Sequence, residues 1–197
     1  MAARGSGAAT RRNVLEAAAE LVASKGAAKL TLDAVAERVG LSKGGILHHF
    51  ATKDSLIAAM VEDLVSEFER DLSRAIAGES GPGSFARAFL RACLDRDGTL
   101  TRTLRLGAGI VAAVAVNSQL LAPLRRRYEE WQRRLEDDGI DPAIAELVRS
   151  AADGVWFTQV LGLGPLSAPL RRRLFEKLIE LTQLPTPALA PGDSAAS

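Results

Sequence analysis

One cysteine, two histidines and few aromatic residues narrow what this 197-residue chain can do before any motif is considered. A lone Cys93 allows no internal disulfide, which agrees with a reducing compartment. It shares a helical face with Phe89 and reads as a small buried apolar residue. His48 and His49 are the only histidines, and neighbours on a helix point about 100° apart. With no second cysteine to complete a ligand set, a zinc site is not expected. The same scarcity leaves no Ser-His-Asp set that avoids these two residues. Gly107-Ala108-Gly109 lacks the third glycine and the preceding strand of a dinucleotide fingerprint. No catalytic residue, metal or cofactor is therefore expected, and the chain does not read as an enzyme. Aromatics at 5% leave Leu, Ala and Val to fill the interior, and no segment reads as a strand ladder, so the fold class is all-α. The most apolar run, Leu106 to Val116, has eleven residues, short of the ~20 that cross a bilayer. The N-terminal MAARGSGAATRR lacks the apolar segment of a signal peptide. A cytoplasmic protein with no membrane partner is expected.

The hydrophobic content of 47% and mean hydropathy of +0.06 fit a well-packed soluble protein larger than one small domain. The net charge of +1 divides unevenly: residues 1 to 55 carry eight Lys or Arg against five Asp or Glu, and the rest is slightly acidic. The positive excess lies in the N-terminal quarter, where it would suit phosphate.

Residues 31 to 50, TLDAVAERVGLSKGGILHHF, read as two short helices around a glycine turn. Thr31 and Ser42 stand at N-cap positions, and Asp33 suits the positive end of the first helix. Gly40 stands where a left-handed stop is needed. Ala34, Val35, Val39 and Leu41 give one apolar face, and Ile46, Leu47 and Phe50 anchor the second helix. Helices this short need a third to dock on. A helix from near Thr10 to Lys25, apolar at Val14, Leu15, Ala18, Leu21 and Val22, supplies it. The arrangement is a helix-turn-helix, whose usual role is to lay its second helix in the major groove of DNA.

Ser42-Lys43-Gly44-Gly45-Ile46-Leu47-His48-His49-Phe50, followed by Thr52-Lys53-Asp54-Ser55-Leu56, resembles the signature of the TetR family of transcriptional regulators. The resemblance covers roughly residues 10 to 57. Most members carry a small hydroxylated or alanine-like residue where Gly45 stands, and a tyrosine where Leu47 or His49 stands. Gly44 and Gly45 each weaken a helix by roughly 1 kcal/mol relative to alanine, a cost that makes sense where backbone must approach DNA closely.

The expected organisation is a flexible tail over residues 1–9, a DNA-binding domain over 10–56 (motif 31–50), a helical regulatory and dimerisation domain over 57–184, and a disordered tail over 185–197. A long helix from Asp54 to Ala77 joins the two parts. GESGPG, residues 78–83, is the clearest break. Helices are then expected at 84–96, 100–116, 119–136, 142–161 and 169–183, with turns at Asp97-Gly98 and Asp138-Gly139.

The candidate DNA-binding residues are Thr31, Ser42, Lys43, Gly44, Gly45, His48, His49 and Lys53. Lys43 and His48 are the candidates for base edges; Thr31, His49 and Lys53 suit phosphate. Arg4, Arg11 and Arg12 read either as a basic arm for phosphate or the minor groove or as part of a disordered, solvated tail. A small-molecule pocket is what the resemblance implies for the second domain. Phe89, Leu104, Ile110, Trp131, Trp156 and Phe157 are its candidate apolar lining, with Asn117 and Asp153 as polar groups for an unidentified, mostly apolar effector. The last two helices carry stripes that include Leu147, Ala151 and Val155, then Leu170, Leu174, Leu178 and Leu181. Meeting the same pair from a second subunit they would form a four-helix bundle, the homodimer that the resemblance implies. The resulting expectation is an operator-binding repressor released by its effector. A DNA-binding regulator without an inducer, and a helical interaction protein that binds no DNA, are the alternatives.

Overall fold

The computed structural model describes residues 3–101, Gly107, Val114, 117–161 and 163–184, the side chains of 3–6, 160 and 161 excepted. Helix α1 spans Ala3–Lys25, α2 Leu32–Val39, α3 Lys43–His49 and α4 Lys53–Ile76. Then follow α5, Ser84–Cys93; α6, Ala122–Glu136; α7, Pro142–Leu161; and α8, Ala168–Leu181. No strand occurs among the described residues; a single bridge pairs Leu94 with Leu100. Most of the expected helix 100–116, the effector candidates Leu104 and Ile110, and the tail 185–197 lie outside the described residues.

Local chemistry sets the N-terminal boundaries. The Thr31 hydroxyl accepts from Ala34 N at 3.1 Å, and the Ser42 hydroxyl from Gly45 N at 3.1 Å. Thr52 and Ser55 form a reciprocal capping box at the head of α4, at 3.0 and 3.1 Å. Gly40 closes α2 in the left-handed region, φ 69°, where its amide and that of Leu41 return to the last turn. Helix α1 begins at Ala3 rather than near Thr10, so the segment read as a flexible tail is helical from its third residue. Ala8, Ala9 and Thr10 add no helix breaker, and Gly5 and Gly7 cost the helix only about 1 kcal/mol each.

Two apolar cores meet along α4. Leu15, Val22, Leu30, Val35, Ile46 and Phe50 pack with the first half of α4, through Leu56, Ile57, Met60 and Val61. Phe68 and Leu72, further along, pack with α5, α6, α7 and α8. Helix α5 is buried nearly all round, including Arg87, which is the pattern of a helix at the centre of a bundle.

The head of α5 has no side-chain cap of its own, since its N-cap is Gly83. Asp138, 53 residues away, supplies one: its carboxylate accepts from Phe85 N at 2.8 Å and Ala86 N at 2.7 Å. Replacing Asp138 with alanine should therefore lower stability by roughly 1–2 kcal/mol. The urea midpoint measures this, and Asp138→Asn, which keeps one acceptor oxygen, should restore part of the loss.

Candidate DNA-binding surface and effector region

Helix α3 buries Ile46 and half-buries His49, while Lys43, Gly44, Leu47 and His48 face outward. Leu47, expected as an apolar anchor, is 42% exposed. Only Ile46 and the C-cap Phe50, four residues apart, reach the core, because the 100° step per residue turns Leu47 away from their arc.

Thr31, Lys43 and Lys53 come together around one surface groove, together with Asp33 and Leu47. Three of the expected DNA-binding residues thus converge from α2, α3 and α4. Both lysines are the first residues of their helices, where the helix dipole disfavours a cation. Lys43 pairs with Asp33 at 3.9 Å, with both side chains about three-quarters exposed, a contact worth at most ~1 kcal/mol and easily exchanged for a phosphate. The Thr31 hydroxyl accepts its cap bond and keeps its proton free to donate.

Gly44 and Gly45 are ordinary helical residues without positive φ. A Cβ at Gly44 would meet only Ser42 Oγ, at 4.0 Å, and one at Gly45 would make ordinary contacts with Ser42 and Leu41. Neither glycine is required by the protein's own packing. Arg11 places its guanidinium 5.3 Å from the Phe50 ring centre, at the end of α3, and Arg12 is exposed. The Arg4 side chain lies outside the described residues.

The described effector candidates divide. Phe89 and Trp131 belong to a packed aromatic cluster with Phe68 and Tyr128, at ring separations of 4.8 to 5.6 Å. The Trp131 indole donates to Glu69 Oε1 at 2.8 Å, tying the cluster to α4. Asp153 adjoins it, accepting from Tyr128 Oη at 3.0 Å and Arg149 Nη1 at 2.7 Å. Burial pushes the Asp153 carboxyl up despite Arg149, and burial likewise raises Tyr128 and the enclosed Cys93 thiol. Trp156 is half-buried at the edge of this core. Phe157 is 51% exposed, and Asn117 stands apart, capping a 3-10 turn and reaching Asp54 at 3.5 Å. Phe68 and Tyr128 were not singled out by the sequence, although their residue type was the available cue. A separate cleft between α1 and α4, walled by Leu15, Met60 and Leu64, involves none of the described candidates.

Of the expected dimer residues, Leu147 and Leu170 are half exposed, and Ala151, Leu174 and Leu181 are partly covered. Val155 and Leu178 are not available: both are buried in the protomer's own core, at 6% and 3% exposure.

Comparison with known proteins decides the family. Residues 14–60 match the bacterial regulatory proteins of the tetR family, and residues 83–183 match the tetracyclin repressor-like C-terminal domain. The chain belongs to the TetR family. It is 26% identical over 187 residues to the HTH-type transcriptional regulator BetI of Escherichia coli O17:K52:H18, covering 89% of this chain and 94% of BetI. A transcriptional regulator from Rhodococcus sp. Rha1 has the same fold, with a TM-score of 0.66 and 25% identity, covering 87% of this chain and 95% of that one. The multidrug binding protein EbrR, solved with ethidium, superposes with a TM-score of 0.61 at 23% identity, covering 86% and 98% of the two chains. This TetR-family protein is a DNA-binding transcriptional regulator.

Proposed function

We propose that the protein is a homodimeric repressor that binds a roughly palindromic operator and is released by a small, mostly apolar effector. The observation that carries the DNA half of this reading is the groove where Thr31, Lys43 and Lys53 converge beside the outward face of α3. Lys43 and His48 face bases; Thr31, His49 and Lys53 hold phosphate; Ser42 fixes the start of α3, and Gly44 and Gly45 admit close approach. Replacing Lys43 with alanine should cost ~1–3 kcal/mol of specific binding. Lys53→Ala should weaken binding to all duplexes alike and lower the salt slope by roughly 1 per subunit. Mobility shifts at several salt concentrations measure both effects. Sequence-selective loss in Lys53→Ala would reverse the two assignments.

The effector half rests on α4. Lys53 opens this helix, and Phe68 and Glu69 touch the aromatic cluster some 22 Å along it, at 1.5 Å per residue. A molecule entering between Phe68, Phe89, Tyr128 and Trp131, with Asp153 and Trp156 beside it, would displace α4 and with it the DNA-contacting end. The ethidium complex of EbrR is a precedent for a small aromatic molecule in this fold. An effector moving the population from 1:99 to 99:1 must favour the released form by ~5.5 kcal/mol. A screen of small apolar compounds for operator release tests this; a protein that binds its operator and answers to no compound would instead be a regulator without an inducer.

A further inference from the structure

Among the described residues, six large apolar side chains are strongly exposed. Five lie between Leu147 and Leu184, and the sixth is Leu47, alone on the outward face of α3. Lys43 and His48 share its outward face, and its groove is lined by Thr31, Asp33, Lys43 and Lys53 with Leu30, Leu32 and Ile46 at its base. Helical side chains lean toward the N-terminus, so the Leu47 isobutyl group lies over the turn containing Lys43 and Gly44. Gly44 offers no side chain to cover it, and a Cβ there would meet only Ser42 Oγ, at 4.0 Å. Leu47 is 42% exposed and outside the buried core, so the protomer makes only partial use of its apolar surface.

We infer that Leu47 reads sequence by packing against the 5-methyl group of a thymine in each operator half-site, next to the base edge taken by Lys43. The inference rests on the proposed DNA-binding role. The major groove presents one apolar group, the thymine methyl, and it is read by contact with apolar side chains. The flanking lysines supply the charge that brings a polyanion to this surface. Gly44 lets the α3 backbone come close enough for a side chain as short as leucine to reach the groove floor.

The test uses the full-length protein and a duplex enriched from a random pool, with each thymine in turn replaced by deoxyuridine, which lacks only the methyl. One thymine per half-site should prove sensitive, its replacement weakening wild-type binding about fourfold, the equivalent of one buried methyl group at ~0.8 kcal/mol. Leu47→Ala should be indifferent to that replacement while keeping its response to changes at the base pair read by Lys43. Leu47→Met, which retains an apolar tip, should keep the thymine preference. If no duplex enriches, the proposed operator binding itself falls, and this inference with it. If a duplex enriches but no thymine is sensitive, or Leu47→Ala stays equally sensitive, the Leu47 assignment alone is overturned.

Discussion

Replacing Arg87 with leucine is expected to lower the unfolding free energy by about 3–5 kcal/mol. The side chain is 8% exposed, and its Nε donates to Glu79 Oε2 at 2.7 Å. Nη1 donates to Pro82 O at 2.9 Å and Nη2 to Ser80 O at 2.8 Å, so one side chain satisfies the loop that joins α4 to α5. Gly83, in the same loop, is pressed so closely on Arg87 and Thr182 that an added Cβ would lie 2.6 Å from Thr182 O. Without Arg87 this loop loses its centre, and Glu79 keeps only Arg91, at 2.7 Å, as a charged partner. Burial alone would raise the Glu79 carboxyl, but the hydrogen bonds from Arg87 and Arg91 outweigh it and hold the group below its ordinary value of 4.5. A carboxyl lowered in the folded state stabilises above its unfolded value and loses that contribution as pH falls through the folded one. Wild-type stability should therefore decline with acid below about pH 4.5, and the decline should be shallower in Arg87→Leu. Urea unfolding across that range measures both. A loss under about 1 kcal/mol at neutral pH would mean that water replaces the guanidinium at little cost.

The parts of the fold that were legible in the sequence are those decided within one helical turn. Thr31 and Ser42 announce their helices because each hydroxyl bonds an amide three residues ahead. Gly40 announces a stop because few other residues take its backbone conformation. The cap on α5 was not legible, because Asp138 lies 53 residues from the amides it serves and reads locally as half of an Asp-Gly turn. Arg87 gave no sign of burial for the same reason: its partners come from a loop and from Thr182, the residue that ends α8. Leu47 misled in the opposite direction. In the run Ile46-Leu47-His48-His49-Phe50 three apolar residues suggest three anchors, but an arc that holds Ile46 and Phe50 excludes the residue between them. The aromatic cluster was half legible: residue type pointed to Phe89 and Trp131, while Phe68 lies within the long connecting helix α4 and Tyr128 is surrounded in sequence by arginine and glutamate. The C-terminal helices show the limit of periodicity most plainly. Both α7 and α8 are apolar over arcs wide enough for two contacts, and nothing local tells which leucine turns inward.

That ambiguity shapes the other prediction of large effect, the conversion of Leu147 to glutamate. In α7 the outward residues after Pro142 are Ala143, Leu147, Ser150, Gly154 and Phe157, spaced by four, three, four and three. This is one helical face, small in the middle and apolar at Leu147 and Phe157, which are 48% and 51% exposed. Leu170 on α8, at 49%, adds to the exposed apolar surface. A two-fold interface is self-complementary, so a single substitution enters it twice. Two carboxylates buried there without partners should cost ~3 kcal/mol or more and raise the dimer dissociation constant at least 100-fold. Since Leu147 is exposed in the protomer, the substitution should leave each subunit folded, with helical content and core unchanged. The control is Leu178→Glu, which places the charge in the protomer's own core, where exposure is 3%, and should unfold the chain instead. Loss of the dimer also removes the second recognition helix, so operator affinity should fall by roughly 10²–10⁴, the range in which linked sites exceed single ones. Sedimentation at micromolar concentration reads the first effect and mobility shift the second. A Leu147→Glu protein that still sediments as a dimer would move the interface off this face of α7, and a wild-type protein that sediments as a monomer would remove the dimer altogether.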